Sequence, residues 1–274
     1  MKLRKVTFLN SWKKTAVNTA VAMLAGTGLL LHNSMPLAAD EDTIRLATRP
    51  NLPPYIDESA TSGIEVDLVK AILNKAGKTV EFVQMDRFAM ISEFEQNKVD
   101  GTLTQSVSAT DHGCITDWYI VHQNVGFTLR NKKHSLKSLA GLADMAVVSF
   151  DNAKIFLGEP YTSVVASNPR YKEIAPQSSH INLLYSGEFD VIFGDEWIIR
   201  QAQRQHFEKT GEYQELEIHQ IMSPTLYSAR FQDQAICDQF DAALISLRRS
   251  GTYDQIVDDY HQRILVAAKA ALSD

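Results

Sequence analysis

The sequence lacks the short motifs that mark the common catalytic and cofactor sites. It contains no G-x-S-x-G, no H-E-x-x-H, no C-x-x-C and no P-loop. These absences exclude the standard signatures of serine hydrolases, zinc metalloproteases, dithiol oxidoreductases and P-loop nucleotide hydrolases. We therefore expect neither a catalytic residue nor a cofactor, and we expect a protein that is not an enzyme.

Beyond its first 39 residues the chain also lacks an apolar run long enough to cross a bilayer. Residues 1–39 have the pattern of a secretory signal peptide, with basic residues first, an apolar stretch over 16–31, and "HNSMPLAAD" offering cleavage after Ala39. A retained membrane anchor is the alternative, but this stretch is shorter than the roughly 20 residues needed to span a bilayer. No cysteine follows it, which disfavours a lipoprotein anchor. The sequence predicts export to the periplasm, with a mature chain starting near Asp40.

Positive charge is scarce once the signal peptide is set aside. The chain has 27 basic and 33 acidic residues, and residues 1–39 carry five of the basic residues and no acid, which leaves 22 against 33, a formal −11. This balance argues against nucleic acid or an anionic membrane as the main partner. Any site for an anion must therefore be local.

The segments of the mature chain alternate between strand and helix patterns. "SGIEVDLVKAILNKAG" has helical spacing through Ile64, Leu68, Ile72 and Leu73, and "KTVEFVQM" and "VDGTLTQSV" have strand patterns. The alternation continues through "MAVVSF", "HINLLYSGEF", "DVIFGD" and "EWIIRQAQRQHFEKTG". Alternating strands and helices predict an α/β fold with parallel strands. The mature chain of 274 − 39 = 235 residues favours two lobes.

No low-complexity linker separates the two lobes. The extended segments 124–131 and 219–230 are instead predicted to cross between them. Two crossing strands form a hinge, and a hinge implies a ligand cleft between the lobes.

Only two cysteines are present, Cys114 and Cys237. Export places them in an oxidising compartment, where a disulfide is possible, although two cysteines alone leave the pairing open. Asp111, His112, Cys114 and Asp117 lie close enough in sequence to suggest a metal site. An ordinary polar loop is the simpler interpretation, and no metal is predicted.

The order of these segments resembles a known family. The run from "IRLATRPNLPPYI" through "SGIEVDLVKAILNKAGKTVEFVQMDRFAMISEFEQNKVDG" is similar to the first lobe of type II periplasmic solute-binding proteins of polar amino-acid transport, bacterial extracellular solute-binding protein family 3. "SLKSLAGLADMAVVSFDN" and "GEFDVIFGDEWII" resemble the second lobe, and "ICDQFDAALISLRRSGTYDQIVDDY" resembles the C-terminal helices. The resemblance implies lobe 1 over 40–126, lobe 2 over 127–222, and a return to lobe 1 over 223–274.

The resemblance also implies roles for individual residues. Tyr55 corresponds to the aromatic residue that packs against the ligand, with packing beside the prolines as the alternative. Asp195 corresponds to the acid that holds the ligand ammonium group, although it could equally cap the following helix. Both Cys114 and Cys237 correspond to positions in lobe 1, so the resemblance implies a disulfide between them.

Two departures from the family pattern affect the carboxylate clamp. His112 stands where an arginine is usual, and a neutral imidazole does not replace a guanidinium fork. Asp151 and Asn152 stand near the usual Gly-Ser/Thr pair. Ser106, His112, Asp151 and Asn152 are nevertheless retained as candidate ligand residues.

Two arginines can supply the missing anion contact. Arg49 lies where the first strand gives way to the rigid loop "PNLPPY", and relatives that bind acidic amino acids resemble this chain in having arginine there. Arg87, in "MDRFAM", is the second candidate. A structural salt bridge is the alternative for each. The prediction is a small-molecule ligand, anionic or zwitterionic, that carries at least one carboxylate.

The predicted function is ligand capture by lobe closure for ABC-type import, by a monomer that serves an ABC permease. Two other classes remain open. An exported dehydratase-like enzyme on the same fold would need a cleft acid or base, for which Glu65, Asp151, Asp195 and His112 are available. A ligand sensor would act on a separate signalling partner.

Overall fold

A computed structural model describes residues 42–271 of the chain, with side chains described through residue 266. The predicted signal peptide and its cleavage site lie outside these residues. Among residues 42–271, no helix combines the length and the apolar character that crossing a membrane requires.

The first sheet has five strands in the order β2-β1-β3-β10-β4. Strand β1 pairs in parallel with β2 and β3, and β10 pairs antiparallel with β3 and β4. The strands are β1 (Thr43–Thr48), β2 (Thr79–Gln84), β3 (Gly101–Gln105), β4 (Cys114–His122) and β10 (Thr225–Phe231).

Four helices accompany the first sheet, namely α1 (Ile64–Lys75), α2 (Arg87–Glu95), α7 (Gln234–Ser250) and α8 (Thr252–Ala271). The helical spacing predicted for α1 is confirmed, because Ile64, Leu68, Ile72 and Leu73 are all buried. They share one core with Leu46 of β1. We call this sheet and its helices lobe 1.

The second sheet also has five strands, in the order β7-β6-β8-β5-β9. They are β5 (Asn124–Leu129), β6 (Val147–Ser149), β7 (Tyr171–Glu173), β8 (Val191–Asp195) and β9 (Leu216–His219). The helices are α3 (Ala153–Leu157), α4 (Tyr161–Ala166), α5 (His180–Tyr185) and α6 (Glu196–Thr210). Three 3₁₀ turns span Arg130–Lys132, Leu139–Asp144 and Gln177–Ser179. We call this sheet and its helices lobe 2.

The chain crosses between the sheets at two places. Gln123 alone separates β4 from β5, and residues 220–224 separate β9 from β10. The predicted crossing at 124–131 is therefore misplaced, since residues 124–129 form a strand between β8 and β9. All six residues of β5 are buried. Alternation of Val125, Phe127 and Leu129 with small or polar residues indicates an extended segment, but it does not indicate the distant strands with which the segment pairs. The predicted lobe boundaries fall at 126/127 and 222/223.

The two cysteines form the disulfide that the resemblance implied. Cys114 begins β4 and Cys237 lies in the first turn of α7, so both belong to lobe 1. Their sulfur atoms are 2.02 Å apart and their Cα atoms 6.4 Å apart. A metal at the 111–117 loop would lose Cys114 as a ligand.

The last helix contacts both lobes. Helix α8 follows α7 in lobe 1, yet the His261 ring stacks on Trp197 of α6 with 3.4 Å between ring centroids. Ile264 of α8 is buried. The two lobes are thus held together by the C-terminal helix as well as by the crossings.

Candidate functional site

A cavity of about 470 Å³ lies between loops and helix ends of the two lobes. Lobe 1 contributes the segment after β1 and the start of α2. Lobe 2 contributes the loop after β6, the loop before α5 and one side of α6. The lining residues are Arg49, Asn51, Leu52, Pro53, Asp86, Arg87, Phe88, Phe150, Asp151, Asn152, Phe156, Ala175, Pro176, Gln177, Ser178, Ile198, Gln201, Ala202 and Gln205.

Arg49 reaches this cavity because it is the first residue after β1. The residue is half-buried, and its Nε atom is buried without a hydrogen-bond partner among the described residues. Burial lowers the pKa of Arg49, and the positive charge of Arg87 lowers it further. An unpaired, partly desolvated guanidinium is a group that an anion would stabilise.

Arg87 approaches the same space from the first position of α2, just after the N-cap Asp86. Its guanidinium carbon lies 4.1 Å from the centre of the Phe156 ring in lobe 2, and 5.4 Å from that of Tyr227. Neither Arg49 nor Arg87 has a carboxylate within ion-pair distance in residues 42–266. The alternative of structural salt bridges is therefore not realised at either arginine.

Asp151 and Asn152 also line the cavity, on the lobe 2 side. They connect β6 to α3, with Asn152 in the left-handed region at φ 61°. The Asn152 side chain donates a hydrogen bond of 2.6 Å to the Asp151 carboxylate. Asp151 is exposed, so its charge is largely solvated.

Tyr55 lies in a buried network that joins the lobes and is not among the described lining residues of the cavity. Its hydroxyl donates to the Asp195 carboxylate, with distances of 3.1 and 3.2 Å to Oδ1 and Oδ2. The loop that carries Tyr55 is fixed by α1, because the amides of Ile64 and Glu65 donate to the carbonyls of Pro54 and Tyr55. A Cβ at Gly63 would come 2.2 Å from the Tyr55 carbonyl, so this close approach requires glycine.

Asp195 is likewise absent from the described lining of the cavity. It is 3% exposed and caps α6, accepting hydrogen bonds from the amides of Trp197 and Ile198 at 3.0 and 3.1 Å. The amide of Gln123, in the first crossing, donates to Oδ2 at 3.1 Å. With Tyr55, four donors occupy this carboxylate. The helix-capping alternative considered for Asp195 is thus realised.

His122 completes the network and was missed in the sequence. Its ring stacks on Tyr55 with 4.2 Å between centroids, and Nδ1 lies 3.8 Å from Asp195 Oδ2. Burial lowers the pKa of His122 well below its usual value, and Arg49 and Arg87 lower it further, so the imidazole is neutral. The one available signal was its position at the end of β4, immediately before the crossing.

Burial raises the pKa of Asp195 to about 7, against its hydrogen bonds, which lower it. An acid whose pKa is higher in the folded than in the unfolded protein stabilises the folded state when it is protonated. This stabilisation is complete at pH values below the pKa in the unfolded protein, and it is lost as the pH rises through the pKa in the folded protein. We therefore compare the unfolding free energies of the protein and of Asp195→Asn. Their difference, that of the protein minus that of the variant, is expected to decrease as the pH rises from about 4 to about 8.

Urea unfolding of both proteins across this pH range measures the difference directly. The comparison cancels most of the titration of His122, whose Nδ1 lies 3.8 Å from the same carboxylate. A difference that stays constant or grows with pH would contradict a protonated Asp195.

Ser106 and His112 lie away from the described lining of the cavity. Ser106 follows β3 and is half-buried. The His112 ring packs edge-on against Phe94 at 5.3 Å, and its Nε2 lies 3.3 Å from Asn97 Oδ1. His112 stands at the position where relatives usually carry a ligand-binding arginine. In this structure its side chain packs instead against the C-terminal part of α2.

Glu65 is buried beneath the site in α1. The Thr104 hydroxyl donates to its carboxylate at 2.6 Å, and the Tyr119 hydroxyl donates to the same oxygen. Glu65 is not among the described residues that line the cavity.

Several residues of the cavity carried no recognisable signal in the sequence. Phe88, Phe156, Gln177 and Gln201 belong to helices or turns whose patterns indicate only secondary structure. The 58% exposure of Phe88, which is high for a phenylalanine, became visible only in three dimensions.

Two five-stranded α/β lobes joined by two crossings, with a cavity between them, match the fold of two-lobed periplasmic binding proteins. The family of bacterial extracellular solute-binding proteins, family 3, matches residues 44–113. An arginine-binding periplasmic protein of Mannheimia haemolytica is 22% identical over 254 residues, which cover 84% of this chain and 95% of that protein. Both matches support the resemblance to family 3 of the bacterial extracellular solute-binding proteins that the sequence indicated.

Solved structures have the same fold. An ancestral arginine-binding protein bound to glutamine is 23% identical with a TM-score of 0.60, covering 80% of this chain and 97% of that chain. The GluR0 ligand-binding core in complex with L-glutamate is 13% identical with a TM-score of 0.65, covering 81% and 99%. The predicted α/β fold with two lobes is thereby confirmed.

Proposed function

We propose that this protein captures a small carboxylate-bearing solute in the cavity between its lobes and closes upon it. The observation that carries the proposal is the pair Arg49 and Arg87, which line the cavity without a carboxylate partner among residues 42–266. Two guanidiniums left unpaired next to one another are unfavourable unless an anion joins them.

Guanidiniums are well suited to this task. Each offers a planar fork that donates two hydrogen bonds to one carboxylate. Arg49 belongs to lobe 1, and Asn152 and Gln177 approach the same cavity from lobe 2. A ligand that contacts both sides interacts more with the closed form, and this difference in affinity shifts the population toward closure.

The choice between binding and catalysis rests on the position of the acid and base candidates. Of Glu65, Asp151, Asp195 and His112, Asp151 alone is among the described cavity residues, and it is exposed. An exposed carboxylate is solvated by water and lacks the buried environment that usually surrounds a catalytic acid or base. This arrangement favours solute binding over a dehydratase-like reaction.

We further propose that the protein is exported by residues 1–39 and delivers its ligand, as a monomer, to an ABC permease. The relatives are named for amino acids, arginine in one case and L-glutamate in another. A cavity with two unpaired arginines favours the carboxylate end of such a solute. A sensor for a separate signalling partner would use the same binding step, and uptake of the bound solute by cells with and without the gene separates the two roles.

Ligand binding and closure form one testable prediction. In a thermal-shift screen of amino acids and carboxylates, carboxylates are expected to raise the melting temperature, because a ligand that binds only the folded state stabilises it. Small-angle scattering at saturating concentration of the best ligand should then show a smaller radius of gyration. Binding without compaction would contradict the hinge mechanism, and a preference for cationic solutes without a carboxylate would contradict the site.

A further inference from the structure

The cavity has two positive groups but no built acceptor for a positive group of the ligand. Arg49 and Arg87 both line it, and they are close enough for the charge of one to lower the pKa of the other. One carboxylate of a ligand would neutralise only one of the two. A ligand with two negative charges would match both guanidiniums.

The carboxylates near the cavity are already engaged or solvated. Asp86 lines it, but its Oδ1 accepts from the amides of Phe88 and Ala89 at 3.0 Å each and so caps α2. Asp151 is exposed and accepts from Asn152. An ammonium group placed among these residues would face only exposed, solvated carboxylates, those of Asp86 and Asp151, and two guanidiniums would repel it.

The buried acids of the region lie outside the described lining of the cavity. Asp195 accepts from Tyr55, Gln123 and two amides of α6. Oε1 of Glu65 accepts from Thr104 and Tyr119, and its Oε2 is buried without a partner among the described residues. An ammonium could reach Asp195 only by displacing the hydrogen bond that joins the two lobes.

The remaining lining suits a carbon frame. Phe88 and Phe150 lie beside the polar groups, and Phe156 has Arg87 stacked on its ring. Aromatic faces next to a guanidinium accommodate a short apolar chain while the two ends of that chain meet the arginines.

From these contacts we infer that the ligand is a dicarboxylate that lacks an ammonium group. This inference rests on the proposed function and deepens it, since it concerns the same cavity. It distinguishes the protein's ligand from an acidic amino acid, which has the same two carboxylates and one ammonium in addition.

Matched acids test the inference by isothermal titration at fixed pH and ionic strength. Glutarate differs from glutamate, and succinate from aspartate, by the ammonium alone, while butyrate retains one carboxylate of the pair. We expect the dicarboxylate of a pair to bind at least about tenfold more tightly than its amino acid, and butyrate to bind at least about tenfold more weakly than glutarate.

Two variants connect the result to the residues. Arg87→Gln should reduce glutarate affinity about tenfold or more while leaving butyrate affinity less affected, because a monoacid can use Arg49 alone. Asp151→Asn should change the two members of each pair by the same factor. A selective loss for glutamate would show that Asp151 holds an ammonium and would overturn the inference.

The outcomes separate the inference from the proposed function. If glutamate binds as well as glutarate and both depend on Arg49, the carboxylate site stands and the inference falls. If inorganic phosphate binds more tightly than every dicarboxylate, the two charges are recognised but the assigned class is wrong. If folded protein binds none of these acids, the proposed carboxylate site falls as well.

Discussion

Arg49→Ala is expected to weaken carboxylate binding about 10- to 150-fold. A charge-assisted hydrogen bond to a guanidinium is worth about 1.5–3 kcal/mol, and each 1.4 kcal/mol corresponds to about a tenfold change in affinity. The backbone of Arg49 is held by the end of β1 on one side and by a proline loop on the other. The backbone is thus positioned before the ligand arrives, which removes its share of the ordering entropy that opposes binding.

The conservative variant separates charge from geometry. Arg49→Lys should recover part of the affinity, because an ammonium keeps the positive charge but lacks the planar fork. Isothermal titration with glutarate measures all three proteins under the same conditions. Melting temperature should change little in either variant, since Arg49 has no ion pair to lose among the described residues.

Arg45, in the strand that leads to Arg49, offers a matched control. It is exposed, its Nε lies 3.6 Å from Glu81, and it is not among the described residues of the cavity. Arg45→Ala should therefore leave ligand affinity unchanged. It should also change the unfolding free energy little, because an exposed ion pair contributes little to stability. If Arg49→Ala binds normally but melts much lower, the arginine is structural and the anion site is disproved.

Removal of the disulfide is expected to cost roughly 2–5 kcal/mol of unfolding free energy, the range for native disulfides in small exported domains. The bond joins residues 123 positions apart, so it restricts a long segment of the unfolded chain. Urea unfolding of the protein, and of the variant with both Cys114→Ser and Cys237→Ser, measures the difference.

Ligand affinity should be preserved in that double variant. Cys114 begins β4, whereas His122 ends it beside the crossing, so the bond is at the far end of a nine-residue strand from the site. Reduction of the unaltered protein should reproduce the loss of stability. Equal stability of the oxidised protein and the double variant would show that the bond contributes nothing, and a large loss of affinity would show that lobe 1 is not rigid.

Patterns in the sequence predicted helix α1 and the position of Arg49 at the end of a strand. The spacing of Ile64, Leu68, Ile72 and Leu73 predicts α1 because one helical face must be buried, and the structure buries all four. The prolines after β1 place Arg49 at a strand end, and strand ends of an α/β sheet lie at its binding edge. These inferences succeed because the physical cause is local, within a few residues of the pattern.

The surroundings of the other candidate ligand residues became known only from the tertiary structure. Tyr55 and Asp195 are 140 residues apart, and nothing near either residue encodes their hydrogen bond, which removes both from the described lining of the cavity. His112 matches a family position by counting, yet its ring packs on Phe94. Residues 124–129 are extended, as the sequence indicated, but their place between β8 and β9 in the second sheet follows only from the tertiary structure. Pairings between distant segments depend on how the lobes pack, and a pattern within one segment carries no information about its partner.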